Sequence, residues 1–413
     1  MKILSVRLCE KPVGLLEFEG KMKFSYSAEA KRKLSLCMPL RAGYYNHHHC
    51  ESFFGGLLPD SKAIKRKLGQ VYKVNANSSF NLLQAIGGDC AGAVSLVAQN
   101  TPIKNSDLYR LKATPLNDSD IANLIRNIKE KPLLAGLGKM RLSLAGAQDK
   151  TAITMIDGTI CLPVDESPTT HIMKPPIIGV EDSVENEFFC MTLAGYVGLK
   201  VQPVQIRFAE DIPYLLVERY DSEYTEHNQI RRVHQEDFCQ ALNVLPDKKY
   251  QVDGGPTLAQ CFQLLEQTAV PAIGINEMMQ LTVFNYLVGN NDAHAKNFSF
   301  LHLSEDEISL APGYDILCTR VYELEDHAAM SIGGEADFKL VARHNWEKLT
   351  KTINYSFKGL QKQAARITES ALSNIDDIAK LMKENGTYRP IVRKISEEIK
   401  TNAESLVHSL DLS

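Results

Sequence analysis

An apolar helical run over residues 279–288 gives way to the polar stretch Gly289-Asn-Asn-Asp-Ala-His-Ala-Lys-Asn297, and an alternating strand follows. The loop at this junction places a carboxylate, Asp292, and an amide, Asn297, five positions apart. The chain that carries it has 413 residues, too many for one ordinary core, so two or three domains are expected. Apolar residues make up 44%, which excludes a disordered chain.

The elements change character along the chain. Short β-like runs over residues 3–8, 15–18 and 22–26 are punctuated by Gly14 and Gly20 as turns. A more helical stretch, residues 48–86, leads through Gly87-Gly-Asp89 to an apolar strand over 93–97. Residues 1–105 therefore read as a small α/β unit. The polar segment 101–119 is a connection, after which Asp118, Ser119 or Asp120 caps a helix over 121–130. Residues 106–225 read as β-rich, with strands over 151–156, 170–173 and 214–218 and one helix over 184–197. Residues 226–413 read as mainly helical, apart from a hairpin over 297–310. Lys380, Lys383, Arg389, Arg393, Lys394 and Lys400, set among acids, mark a solvated amphipathic helix pair. A β-rich part followed by a helical part suits a ligand cleft.

Phosphoryl transfer needs a carboxylate to orient and deprotonate the attacking hydroxyl, and an amide oxygen to hold a magnesium ion. Asp292 and Asn297 have the Asp-x4-Asn spacing of a protein-kinase catalytic loop. Asp315, in Ala311-Pro-Gly-Tyr-Asp315, lies a hairpin's length further on, and the turn at 304–307 would return it beside Asn297 as a second ligand. Such oxygen donors suit magnesium rather than zinc. Upstream, the small-residue turn in Ser143-Leu-Ala-Gly-Ala-Gln-Asp-Lys150 precedes a strand and could bring backbone N–H groups to phosphates. Lys174 ends the strand His171-Ile-Met-Lys174, where a phosphate-binding lysine sits in kinases, and Glu187, or Glu185, could pair with it. The segment Val217-Glu-Arg-Tyr-Asp221 falls where an adenine-binding hinge belongs. Taken singly these are also a tight hairpin entry, a solvated strand end and a solvated helix face. Their order along the chain is what favours a kinase.

With these motifs the sequence resembles the HipA family of bacterial toxin kinases. The N-terminal part matches too, at Phe53-Phe-Gly-Gly-Leu-Leu-Pro-Asp60 and Gly87-Gly-Asp-Cys-Ala-Gly-Ala-Val94. The resemblance implies an α+β, bilobal protein-kinase-like fold, with a small N-terminal α/β subdomain and a mainly helical C-terminal lobe. It implies a serine/threonine protein kinase that uses ATP and magnesium, with Asp292 as base and Asn297 and Asp315 as metal ligands. Ala145, Gly146, Ala147, Gln148, Asp149, Lys150, Lys174, Glu218, Arg219, Tyr220, His294, Ala295, Lys296, Asn297, Tyr314 and Asp315 would line the ATP site. Ser143 matches the family's autophosphorylation site, where an added phosphate would repel nucleotide and switch the enzyme off. The implied substrate is a translation component such as an aminoacyl-tRNA synthetase. The implied partner is a HipB-like helix-turn-helix antitoxin, which would carry the complex onto operator DNA. Two positions depart from the family pattern: Ala293 follows Asp292 where glycine is common, and Gly313 could loosen the second metal site. The run His47-His48-His49 matches no family motif.

The formal net charge of -4 argues against non-specific nucleic-acid binding through bulk charge. Nine scattered cysteines without a CxxC pair read as buried thiols of a reducing cytosol. Neither a signal peptide nor a membrane span is expected, which makes the protein cytoplasmic. Two other functions stay open: a catalytically weak kinase-fold scaffold that acts as co-repressor with its antitoxin, and a small-molecule kinase. Presence of Asp292, Asn297, Asp315 and Lys174 together favours the active protein kinase.

Overall fold

The computed structural model describes residues 1–103, 106, 108–128, 130–135, 141–146, 148–164, 167–225, 229–322 and 327–412. Asn105 and Glu226, where two expected divisions fall, and Ala147 of the expected nucleotide loop lie outside the described residues. Contacts group the chain into two compact units. The first comprises Met1–Pro175, Phe208–Asp247 and Ser299–Ile308; the second comprises Pro176–Arg207, Lys248–Phe298 and Ser309–Ser413.

The first unit contains an antiparallel sheet in the order Tyr44–Tyr45, Lys21–Tyr26, Lys11–Glu19, Lys2–Leu8 and Val94–Ala98. Its apolar residues alternate as a half-buried strand requires, and Leu4, Val6, Leu16, Met22 and Phe24 turn inward. Gly20 makes a turn, as expected, but Gly14 lies inside a strand. The first hairpin turns instead at Cys9 and Glu10, both at positive φ, a combination that propensity alone does not flag. Helices His47–Gly56, Lys62–Tyr72 and Ser79–Ile86 begin at Asn46, Ser61 and Ser78, whose side chains accept the backbone N–H three residues on. The histidine run is therefore the first turn of a helix. His47 accepts from the Met22 N–H, and His49 lies 2.9 Å from Asn46 Oδ1 with its ring against Tyr45. Phe53, Phe54, Leu82 and Leu83 fill the core between these helices and the sheet.

Within the same unit, strands Ile212–Glu218, His171–Lys174, Thr151–Ile156, Thr159–Pro163 and Ala113–Pro115 follow one another through a second sheet. Its register pairs His171 with Glu218 on one side and with Ile153 on the other. Helix Asp118–Arg126 packs Ile121 and Ile125 into that sheet's core. It starts earlier than expected, because Asn117 accepts from the Asp120 N–H while Asp120 reaches back to Asn117.

The second unit is built around Pro271–Val288, an 18-residue helix whose C-terminal two-thirds is buried on all sides. Phe357–Glu384 presents Leu360, Ala364, Ile367, Ala371, Ile375, Ile378 and Met382 as one inward stripe at spacings of three and four. Ile391–Leu410 does the same with Ile391, Ile395, Ile399, Ala403, Leu406 and Leu410. These are the amphipathic pair expected from the sequence. Ser183–Tyr196 and Arg343–Thr352 complete the main helices, and His327–Ile332 with Glu335–Asp337 forms a short hairpin. Among the described residues no helix is long and apolar enough to cross a membrane.

Candidate active site

The catalytic-loop candidate begins where the central helix must stop. Gly289 sits at φ +72°, and its N–H and that of Asn290 return to the Tyr286 and Asn285 carbonyls. This left-handed residue is where glycine ends a helix without strain. Beyond it, side chains take over from helical bonding. Asn285 donates to the Leu281 carbonyl, Asn290 donates to Asn285 Oδ1, and Asn290 Oδ1 accepts the Asp292 N–H at 3.1 Å. Thr319 Oγ1 accepts the Asn291 N–H and donates to the Gly289 carbonyl, while the Ala329 N–H reaches the Asn291 carbonyl at 2.7 Å. The loop is thus held by partners from three separate stretches of chain.

Asp292 is anchored through both its main chain and its side chain. Its carbonyl accepts the His294 N–H at 2.7 Å and the Asn297 side-chain amide at 2.9 Å. Its Oδ1 accepts the Tyr250 hydroxyl at 2.7 Å and lies 4.0 Å from His294 Nε2. The Asp292 side chain is 43% exposed, whereas that of His294 is 5% exposed, so the carboxylate is open to solvent while the imidazole is enclosed. Tyr314 donates to the Lys296 carbonyl at 2.8 Å and so joins the second motif to the first.

Asn297 and Asp315 line one cavity together with Asn285, Asn290, Tyr314 and Ile316. Asp315 is at φ +59°, a left-handed conformation that aspartate tolerates better than most residues. The Asn297 amide nitrogen is spent on the Asp292 carbonyl, which assigns its oxygen to the remaining contacts. Carboxylate and amide oxygens are the donors a hard divalent cation takes, and magnesium uses one or two protein oxygens with phosphate and water completing the shell. The residues present fit that group. Gly313, beside this pair, is closely packed. It bridges Val201 in parallel, its N–H bonded to Lys200 and its carbonyl to Gln202, and a Cβ there would stand 2.7 Å from Leu281 and 3.2 Å from Val201. Close packing is why the residue is glycine.

The other expected residues are distributed as follows. Ser143 is fully buried, donates from Oγ to the Leu57 carbonyl at 2.7 Å, and gives its N–H to the Asp89 carbonyl. Leu142 and Leu144 on either side of it belong to the N-terminal core, and the Gly146 carbonyl accepts the Asp60 N–H. Gln148 donates to the Pro175 carbonyl at 3.3 Å. Lys174, in the first unit, and Glu187, in the second, are both buried. Glu185 lies 3.8 Å from Arg389 Nε; burial raises its carboxyl above the ordinary value. The Arg219 side chain is committed internally. It donates to both Asp221 oxygens at 2.9 and 2.6 Å, to Thr169 Oγ1 at 2.9 Å and to the Cys90 carbonyl at 3.0 Å. Any part it has in a hinge falls to its backbone.

Sequence reasoning missed Tyr250, Asn285, Asn290 and Thr319. Asn290 stood within the quoted motif and carried no marked role. The other three lie outside it, and no spacing rule links them to the loop.

Fold and site together define an α+β protein with a kinase-like architecture. Known proteins agree. The HipA-like C-terminal domain model matches residues 142–382 and the HipA N-terminal domain model matches residues 4–97. The chain belongs to the HipA family. It is 39% identical to the kinase candidate Y4mE of Sinorhizobium fredii, covering 88% of each chain. It is 30% identical to the serine/threonine-protein kinase toxin HipA of Shewanella oneidensis, over 74% of this chain and 71% of that one. In fold it resembles the solved complex of Shewanella oneidensis HipA, HipB and operator DNA, with a TM-score of 0.81 at 24% identity, covering 99% of this chain and 96% of the other.

Proposed function

We propose that this chain transfers the γ-phosphoryl group of ATP to a serine or threonine hydroxyl of another protein. The observation that carries the reading is the anchoring of Asp292, whose backbone carbonyl holds Asn297 while its partly exposed carboxylate is oriented by Tyr250. As the hydroxyl oxygen bonds to phosphorus and the bond to the β-phosphate oxygen breaks, the Asp292 carboxylate takes the hydroxyl proton. Asn297 and Asp315 would hold magnesium, whose charge offsets that of the phosphates. Tyr314 keeps the Asp315 motif against the loop. Positioning by these groups supplies most of the rate. Lys174, the loop from Ala145 to Lys150, and Glu218 to Tyr220 are assigned to the nucleotide.

The proposed target is a translation component, an aminoacyl-tRNA synthetase being the class the resemblance suggests, met in the cytoplasm. A HipB-like antitoxin is proposed as the restraining partner and as the link to operator DNA; HipB is found with HipA in the Shewanella oneidensis complex. Autophosphorylation at Ser143 is proposed as the off-switch. Its hydroxyl is buried against the Leu57 carbonyl, so a phosphate could not be accommodated there without loop departure.

The test is transfer of radiolabel from ATP, with magnesium, to the chain and to a generic acceptor such as dephosphorylated casein. Asp292→Ala should lower transfer by about 10²-fold or more. Equal labelling by the two proteins overturns the kinase reading.

A further inference from the structure

Tyr250 lies 42 residues before Asp292, yet its hydroxyl donates to Asp292 Oδ1 at 2.7 Å. Its ring meets the His294 ring edge to face, with centroids 5.2 Å apart. The carboxylate therefore has a hydroxyl donor on one oxygen, and the aromatic pair beneath it limits how that donor can swing. Tyr250 opens the short helical turn Gln251–Asp253, and its carbonyl accepts the Asp253 and Gly255 N–H groups, which fixes the backbone from which the ring projects.

The turn is itself fastened to the catalytic loop by a second route. Gln251 Oε1 accepts the Ser331 N–H at 2.9 Å, and its Nε2 donates to Ser331 Oγ at 2.9 Å. Ser331 stands on strand His327–Ile332, whose Ala329 N–H reaches the Asn291 carbonyl at 2.7 Å. A ring of contacts therefore runs from Asp292 to Tyr250, to Gln251, to Ser331, along the strand to Ala329, and back to Asn291. Every member belongs to the second unit. A carboxylate on a surface loop ordinarily samples several rotamers, and only a fixed rotamer presents a base in line with a hydroxyl.

We propose that Tyr250 is a positioning residue for the Asp292 carboxylate, held in place by the Gln251–Ser331 clasp. This rests on the kinase reading above. The hydroxyl sets the carboxylate rotation. Removing it frees that rotation, so fewer encounters present the base in line with the acceptor hydroxyl. Binding of ATP uses other groups and does not change.

The experiment compares wild type, Tyr250→Phe, Gln251→Ala and Asp292→Ala in single-turnover transfer from radiolabelled ATP to casein over a range of ATP concentrations. Tyr250→Phe keeps the ring against His294 and removes only the hydroxyl. It should slow the maximal rate on the order of 10-fold and leave the ATP concentration for half-maximal rate within about twofold. Gln251→Ala loosens the clasp and should slow the rate in the same direction by less, since the tyrosine hydroxyl is still present. Thermal midpoints of the variants separate loss of fold from loss of position. A Tyr250→Phe protein with wild-type maximal rate, beside an inactive Asp292→Ala, overturns the positioning role. Transfer that is equal in wild type and Asp292→Ala overturns the kinase reading instead.

Discussion

At the scale of single residues, burial decides what a conspicuous side chain can do. Arg219 stood in the expected nucleotide hinge, yet its donors are spent on Asp221, Thr169 and the Cys90 carbonyl. Gly313, which departs from the family pattern, is a close-packing position between Leu281 and Val201. Ser143 offers a nucleophile that solvent cannot reach, since its side chain is closed into the N-terminal core and bonded to Leu57. Reaction there requires the loop to leave, and the charge added cannot return to an apolar site at tolerable cost. Incubation with magnesium and ATP should add one phosphate that peptide mapping places within residues 141–151, and none in Asp292→Ala. A mass gain mapped elsewhere removes the off-switch.

At the scale of elements, the loop after helix Pro271–Val288 depends on partners that substitute for helical bonding. Thr319 is the main one, because one hydroxyl accepts the Asn291 N–H and donates to the Gly289 carbonyl. Thr319→Val keeps the shape and removes both bonds, leaving a sheltered N–H without its acceptor. A loss of about 1–3 kcal/mol in urea denaturation is expected. Phosphoryl transfer should fall with it, because Asn291 neighbours Asp292. Unchanged stability and rate would mean that solvent replaces the hydroxyl without cost.

At the scale of the molecule, a buried ionic cluster explains why the N-terminal domain and the β-rich stretch share one compact unit. Asp89, Cys90 and Gly92 come from the stretch matched by the HipA N-terminal model, and Thr169, Arg219, Asp221 and Arg232 come from the stretch matched by the C-terminal one. Arg232 reaches Asp89 at 2.8 Å, and the Gly92 N–H reaches Asp221 at 2.6 Å. Burial alone would raise the Asp221 carboxyl; Arg219, followed by Arg232 and the Gly92 N–H, outweighs it and holds the group below the usual carboxylate range. A carboxyl depressed in this way contributes stability that is present above its unfolded pKa of about 3.9 and is lost as pH falls through the lower folded value. This contribution should be constant from pH 7 down to about pH 5, begin to fall near the unfolded pKa of about 3.9, and be gone only below the lower folded value. Arg219→Ala removes the main partner of buried Asp221 and should cost about 3–5 kcal/mol at pH 7, with a smaller deficit in acid, read from urea midpoints at several pH values. A deficit that does not shrink in acid would point to lost packing instead of lost charge.

Much of this protein is legible from order along the chain. Strand Thr151–Ile156, strand His171–Lys174 and the hairpin of Ser299–His302 with Ile308–Leu310 fall where apolar runs and turn residues placed them, because those signals are local. The stripe of helix Phe357–Glu384 is local in the same sense, as one face of a helix is a fixed spacing. Asp292, Asn297 and Asp315 could be named because the chemistry sets their order and their separation. What tertiary structure alone decided is who holds them. Tyr250, Thr319 and Ala329 reach the loop from 42 residues before Asp292 and from past the hairpin, and hydrogen bonding at 3 Å leaves no period in a sequence. The same holds for Arg219, whose partners in space are spread from Asp89 to Asp221, so that only folding could place a hinge candidate in a buried charge cluster.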